Sequence, residues 1–105
     1  MFAALAVLHF DSRTTEGVDR KALHSITEKL RSRFPVVVKI HGTMEDDGEI
    51  RLAVAALMES EPKLAKMLDD FTSACETLGL GRVDDEVSIL DDLDNFIEQA
   101  TEESE

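Results

Sequence analysis

Four apolar runs and two amphipathic stretches follow one another in the order strand, helix, strand, strand, helix, strand, and this order constrains the fold more than any other feature of the chain. The first run, Phe2 to Phe10, is continuously apolar, as suits a strand covered on both faces. Val18, Ala22, Ile26, Leu30 and Phe34 then recur every four residues with Leu23 beside them, which predicts a helix. Thr14 or Thr15 can cap it, Arg31 and Arg33 suit its negative end, and Pro35 prevents its continuation.

Val36 to His41 is β-branched and Ile50 to Met58 is apolar, so both read as strands. Between them Asp47-Gly48 offers the positive φ of a tight hairpin turn, which predicts antiparallel neighbours. Ser60 and Pro62 open a second helix whose stripe is Leu64, Met67, Leu68, Phe71, Cys75 and Leu78, and Gly79 with Leu80 closes it in a Schellman-type stop. Val83 to Leu90 alternates as a fourth strand. Asp91 can cap a short third helix that places Leu93, Phe96, Ile97 and Ala100 on one face, followed by the acidic end TEESE. A split βαβ unit repeated once is the pattern of the ferredoxin-like α+β sandwich, a four-stranded antiparallel sheet with two helices on one face. Residues 1–90 are expected to form that domain and residues 91–105 an acidic helix and tail.

Composition narrows the function classes. At 105 residues the chain suits one core. Cys75 is the single cysteine, it lies in a helical apolar stripe, and it is expected to be a buried, inert thiol in a reducing cytoplasm. Residues 1–10 lack a basic leader and a small-residue cleavage site, and no run approaches the roughly 20 apolar residues of a membrane span. The net charge of −12 is unevenly spread: residues 1–42 carry +3 and residues 43–105 carry −15. Bulk acidity repels phosphate backbones, so nucleic acid is an unlikely partner outside the cationic stretch Lys29, Arg31, Arg33 and Lys39, whose side chains are the candidate phosphate contacts.

No catalytic constellation stands out. His9 and His41 end strands that would lie parallel with one strand between them, which puts their backbones about 10 Å apart. That is too far for zinc without a third group such as Asp11. The acidic loop Glu45-Asp46-Asp47-Gly48-Glu49 lacks the alternating ligands of a calcium loop and reads as a solvated turn. Neither a phosphate-binding glycine loop, a serine elbow nor a paired-cysteine motif is present. The expectation is a chain without cofactor or metal that is not an enzyme. Base stacking on the first and third strands is excluded by their residue types, Ala4, Leu5, Ala6, Val7 and Leu52, Ala53, Val54, Ala55. Those small apolar residues motivate a different expectation. With two main helices one sheet face lacks a cover, which a second subunit, the chain's own C-terminal helix or both would supply, and Ala4, Ala6, Ala53, Ala55, Leu93, Phe96 and Ile97 are the candidate interaction residues of a homodimer.

The segment Arg20 to Val38, with Leu8, His9 and Phe10 before it and Leu30, Arg31, Ser32, Arg33 and Phe34 within it, resembles the YlxP-like family of small bacterial proteins. The resemblance implies a ferredoxin-like fold and a translation-associated protein partner or a ribosome- or RNA-associated role. It supplies no active site. The chain departs from the family in the stretch Thr15 to Arg20, which replaces a basic helix opening, and in Asp11, which stands where a proline is usual.

Overall fold

A computed structural model describes residues 1–103. Its elements are β1 (Phe2–Phe10), α1 (Arg20–Arg33), β2 (Val37–Gly42), α2 (Met44–Asp47), β3 (Arg51–Met58), α3 (Glu61–Thr77), β4 (Val83–Asp92) and α4 (Leu93–Glu103). The strands form one sheet in the order β2-β3-β1-β4 with every neighbouring pair antiparallel. This is the ferredoxin-like α+β arrangement expected from the element order.

Side-chain alternation decides what each sheet face carries. Ala4, Ala6, Leu8 and Phe10 of β1, Leu52, Val54 and Ala56 of β3 and Val38 of β2 are buried. They meet Leu23, Ile26 and Leu30 of α1 and Leu64, Met67, Phe71, Ala74 and Cys75 of α3. Phe34 and Phe71 join the two helices edge to face, with ring centroids 5.5 Å apart. Burial pushes the Cys75 thiol up to about 12, which makes it a poor nucleophile.

Local chemistry sets the helix ends, with three differences from expectation. Asp19, not Thr14 or Thr15, caps α1, and its side chain accepts from the Ala22 N–H at 2.8 Å. Both threonines instead sit in the loop after β1, where Thr14 Oγ1 donates to the Asp11 carbonyl at 2.9 Å and accepts from the Arg82 N–H at 2.9 Å. The β2–β3 connection is the helical turn α2, not a two-residue turn. Thr43 caps α2, and Gly48 closes it with φ +71. Three acidic residues at the positive end of that turn favour the helical form. Asp92, not Asp91, caps α4 by accepting from the Asp94 N–H at 2.8 Å, because β4 runs on through both aspartates. α3 ends as expected, with Leu80 N–H donating to the Cys75 carbonyl at 2.9 Å and Gly79 at φ +97.

Gly81 is the tightest backbone position. It holds φ +96, and a Cβ there would lie 2.6 Å from Thr14 Oγ1 and 3.0 Å from the Thr14 carbonyl oxygen. Gly17 has a similar φ of +89 with open space around it. Gly81→Ala should therefore lower stability by about 3 kcal/mol, from left-handed backbone strain plus overpacking, against about 1 kcal/mol for Gly17→Ala. Urea unfolding of the two variants beside the natural chain measures the difference.

Candidate functional site

The alternation that buries one set of sheet side chains leaves the opposite set on a face that no helix covers. In register across the sheet, this face reads Asp91, Ala3, Leu57 in one row and Ile89, Leu5, Ala55, Val37 in the next. The following rows are Val87, Val7, Ala53, Lys39 and then Asp85, His9, Arg51, Gly42. The middle of the face is apolar and open to solvent: Leu5 is 50% exposed, Leu57 53%, Ile89 54%, Val87 60% and Val37 71%. Four strands about 4.8 Å apart and four rows about 7 Å apart give it an area of roughly 500 Å². The nine apolar side chains of its first three rows cover about 300 Å² of it, a contiguous patch in the size range of the largest on a typical single chain.

The face has relief. The columns over β1 and β4 carry Leu5, Val7, Val87 and Ile89, and the column over β3 carries the small side chains Ala53 and Ala55. The result is a ridge beside a trough. At the Asp91 end the trough opens into a groove of about 620 Å³, where β2 begins at Val37 and the chain before it diverges from β3. Ala3, Leu57, Val36, Val37, Phe34 and the aliphatic stem of Arg31 border that groove.

At the opposite end the face closes in charge. His9 Nδ1 lies 2.7 Å from Glu49 Oε1, and the Arg51 guanidinium reaches Glu49 at 3.5 Å and Asp47 at 3.2 Å. Hydrogen bonding from His9 and the charges of His9 and Arg51 hold the Glu49 carboxyl below the usual range. The Arg51 guanidinium lies over Gly42, where a Cβ would come within 3.0 Å of it. Arg20 pairs with Asp46 and, at 3.8 Å, with Glu45. The acidic loop is thus tied to cations, as a structural turn would be.

Several candidate residues are placed differently from expectation. Ala4 and Ala6 are 5% and 1% exposed beneath the helices and do not belong to the open face. The bulk of Leu8 and Phe10 fixes the parity of β1, so Ala3, Leu5 and Val7 take the open side. Ala53 and Ala55 do lie on the open face. Leu5, Val7, Val37, Leu57, Val87 and Ile89 complete it; parity with Phe10 in β1 and the alternation of Val87, Ser88 and Ile89 are the sequence signals that mark them. Leu93 and Phe96 are half-buried, and Ile97 and Ala100 are exposed on α4, which within the chain packs chiefly on β4 and does not fold back over the sheet.

The four candidate phosphate contacts do not share a face. Lys39 stands on the open face, whereas Lys29, Arg31 and Arg33 belong to α1 on the other side of the sheet. Arg31 donates to the Val38 carbonyl at 2.7 Å and pairs with Glu28 at 2.7 Å, and the Arg33 guanidinium stacks 5.9 Å from the Phe34 ring centroid. β3 separates His9 from His41, and His41 sits at a register shift in β2. Among the described residues no group of three or more His, Cys, Asp or Glu side chains is arranged to hold a metal ion. Asp11 is committed to Arg13: its carboxylate accepts from the Arg13 backbone N–H at 3.0 Å, from Nε at 3.1 Å and from a terminal nitrogen at 2.9 Å.

With this geometry in view, the chain is similar in structure to the Arabidopsis thaliana protein At3g17210, known from an ensemble refinement of its crystal structure. The two share 15% identity over 88% of this chain and 94% of that one, with a TM-score of 0.51. At that identity the likeness shows the fold. No family model and no curated protein matches the chain. Among the described residues no helix is long and apolar enough to cross a membrane.

The Arg13 contacts hold the Asp11 carboxyl below its ordinary value of 3.8. A depressed carboxylate stabilises the fold above its unfolded pKa and loses that contribution as pH falls through the folded one. The stability gap between the natural chain and Arg13→Ala should therefore be full at pH 6 and shrink as pH falls below about 3.8. Thermal melts of both proteins from pH 6 to pH 2 measure it.

Proposed function

We propose that this chain is a non-enzymatic interaction module that works as a homodimer, with the open sheet face of one copy buried against that of a second. The observation that carries this reading is the contiguous set Leu5, Val7, Val37, Leu57, Val87 and Ile89, which no other element among the described residues covers. At about 25 cal/mol per Å² of apolar surface, removing such a face from water offsets much of the entropy lost on association. Charge supports the same reading. Histidine, glutamate and arginine pair with one another at one end of the face, and between that end and Asp91 the rows carry one charged side chain, Lys39 at the β2 edge, whose long stem can carry its ammonium out to solvent. The lone buried thiol suits a reducing cytoplasm, and the resemblance to the YlxP-like family favours a translation-associated protein as the client of the dimer.

The cationic segment Lys29 to Lys39 offers less to an RNA-associated role, because its side chains diverge and two of them are engaged within the chain. The test is a substitution on the open face. Leu5 is half-exposed in the single chain, so Leu5→Asp should leave the melting temperature of the monomer little changed. In a dimer it would bury a carboxylate in each copy, raising the dissociation constant by about a hundredfold or more. Sedimentation equilibrium over a wide concentration range should give twice 11.7 kDa for the natural chain and 11.7 kDa for the variant. A natural chain that stays at the single mass throughout removes this reading.

A further inference from the structure

Resting on that reading, we infer that the two copies are related by a twofold axis running parallel to their strands, so that α4 of each copy lies in the groove beside Val37 and Leu57 of the other. A face-to-face pair has two simple choices: its axis lies in the plane between the sheets, either along the strands or across them. An axis across the strands would set β4 against β4 and ridge against ridge. On the open face β4 carries Asp85 and Asp91 with no cation, so that pairing places like charges together. An axis along the strands sets β4 against β2, which carries Lys39 and no carboxylate.

Relief selects the same axis. Rotation about the strand direction reverses the order of strands and keeps each row at its own height. The ridge of Leu5 and Val7 then meets the partner's trough over Ala55 and Ala53, row for row. Ile89 and Val87 meet the β2 column of Val37 and Lys39. Leu5 and Val7 are thereby apposed to alanines on both sides of the axis, as close packing of an interface requires.

The placement of α4 follows from the axis. α4 continues β4 at the Asp92 end, and the groove lies at that same end on the opposite edge of the sheet. Under rotation about the strands, that edge of one copy comes beside the α4 of the other. Residues 91–105 carry seven carboxylate side chains and no cation, whereas the charged residue that lines the groove is Arg31. Area points the same way. The sheet face of roughly 500 Å² falls short of the about 800 Å² per partner of a standard stable interface, and an exchanged helix supplies the difference.

Paired cysteine variants test the arrangement, because the buried Cys75 thiol stays unreactive and the natural chain serves as the control. A bismaleimide spanning the about 10 Å between packed sheets is added to equimolar mixtures of two variants. Ile89→Cys mixed with Val37→Cys, and Ile97→Cys mixed with Leu57→Cys, should each give a covalent dimer containing one chain of each kind. Ile89→Cys alone should give little. Removal of residues 93–105 should raise the dissociation constant about tenfold or more while the shortened chain still dimerises. Strong self-cross-linking of Ile89→Cys would show the other axis and overturn the inference while leaving the sheet-face dimer standing. So would a dimer whose dissociation constant is unchanged by the truncation and whose Ile97→Cys and Leu57→Cys chains fail to link. A natural chain that is monomeric at every concentration overturns both.

Discussion

Two helices can cover only one side of a four-stranded sheet, and the rest of this structure depends on which side they take. The choice is made in β1, one of the two strands with neighbours on both edges. Leu8 and Phe10 need the depth that only the helix layer supplies, and strict alternation then commits Ala4 and Ala6 to the same side. Small residues beneath the helices let α3 approach closely over Ala4 and Ala56, where Leu64 and Met67 fill the space. The remaining side chains of β1 have nowhere to go but the other face. A continuous apolar strand in a two-layer fold therefore carries two surfaces, one satisfied within the chain and one that calls for a cover.

The order of elements was legible because each one is marked by its own physics. The four-residue spacing from Val18 to Phe34 and the Ser60, Pro62 and Gly79 punctuation of α3 mark the helices, and β-branched runs mark the strands. Where the reading slipped, the competing choice was local and close in energy. Asp19 displaced Thr14 and Thr15 as the α1 cap because both threonines are held by partners from distant parts of the chain, Thr14 by the Arg82 N–H and Thr15 by the Met44 sulfur. A cap chosen by a contact 68 residues away leaves no mark in the neighbouring sequence. The helical turn α2 likewise won over a tight hairpin because Thr43 caps it and Arg20 and Arg51 neutralise its acids, and Arg20 lies 26 residues from the aspartate it pairs with.

The open face was only half legible. That some face would lack a cover follows from counting helices, but assigning residues to it requires the parity of each strand. In β1 both parities are apolar, so hydropathy alone does not separate Leu5 from Ala6; size does, since bulk at positions 8 and 10 seeks the core. In β4 the alternation of Val87 and Ile89 with Ser88 was visible, and its meaning was masked by the flanking carboxylates. The His9–Glu49–Arg51 cluster joins the end of β1 to the start of β3, and only the strand register brings it together.

The pairing of β1 with β4 has a consequence for how the chain is made. Phe2 is partnered by Asp92 and Ala6 by Ser88, so one edge of this strand is completed by residues more than eighty positions downstream. Its other edge pairs with β3, about fifty residues downstream. During synthesis this apolar strand thus precedes both of its neighbours and waits for them with both hydrogen-bonding edges bare. Such non-local closure is slow compared with helix formation, and it exposes the nascent strand to other chains in the interval. The burden of keeping this protein out of aggregates falls on the time before residue 92 appears, when the fold that will protect β1 does not yet exist.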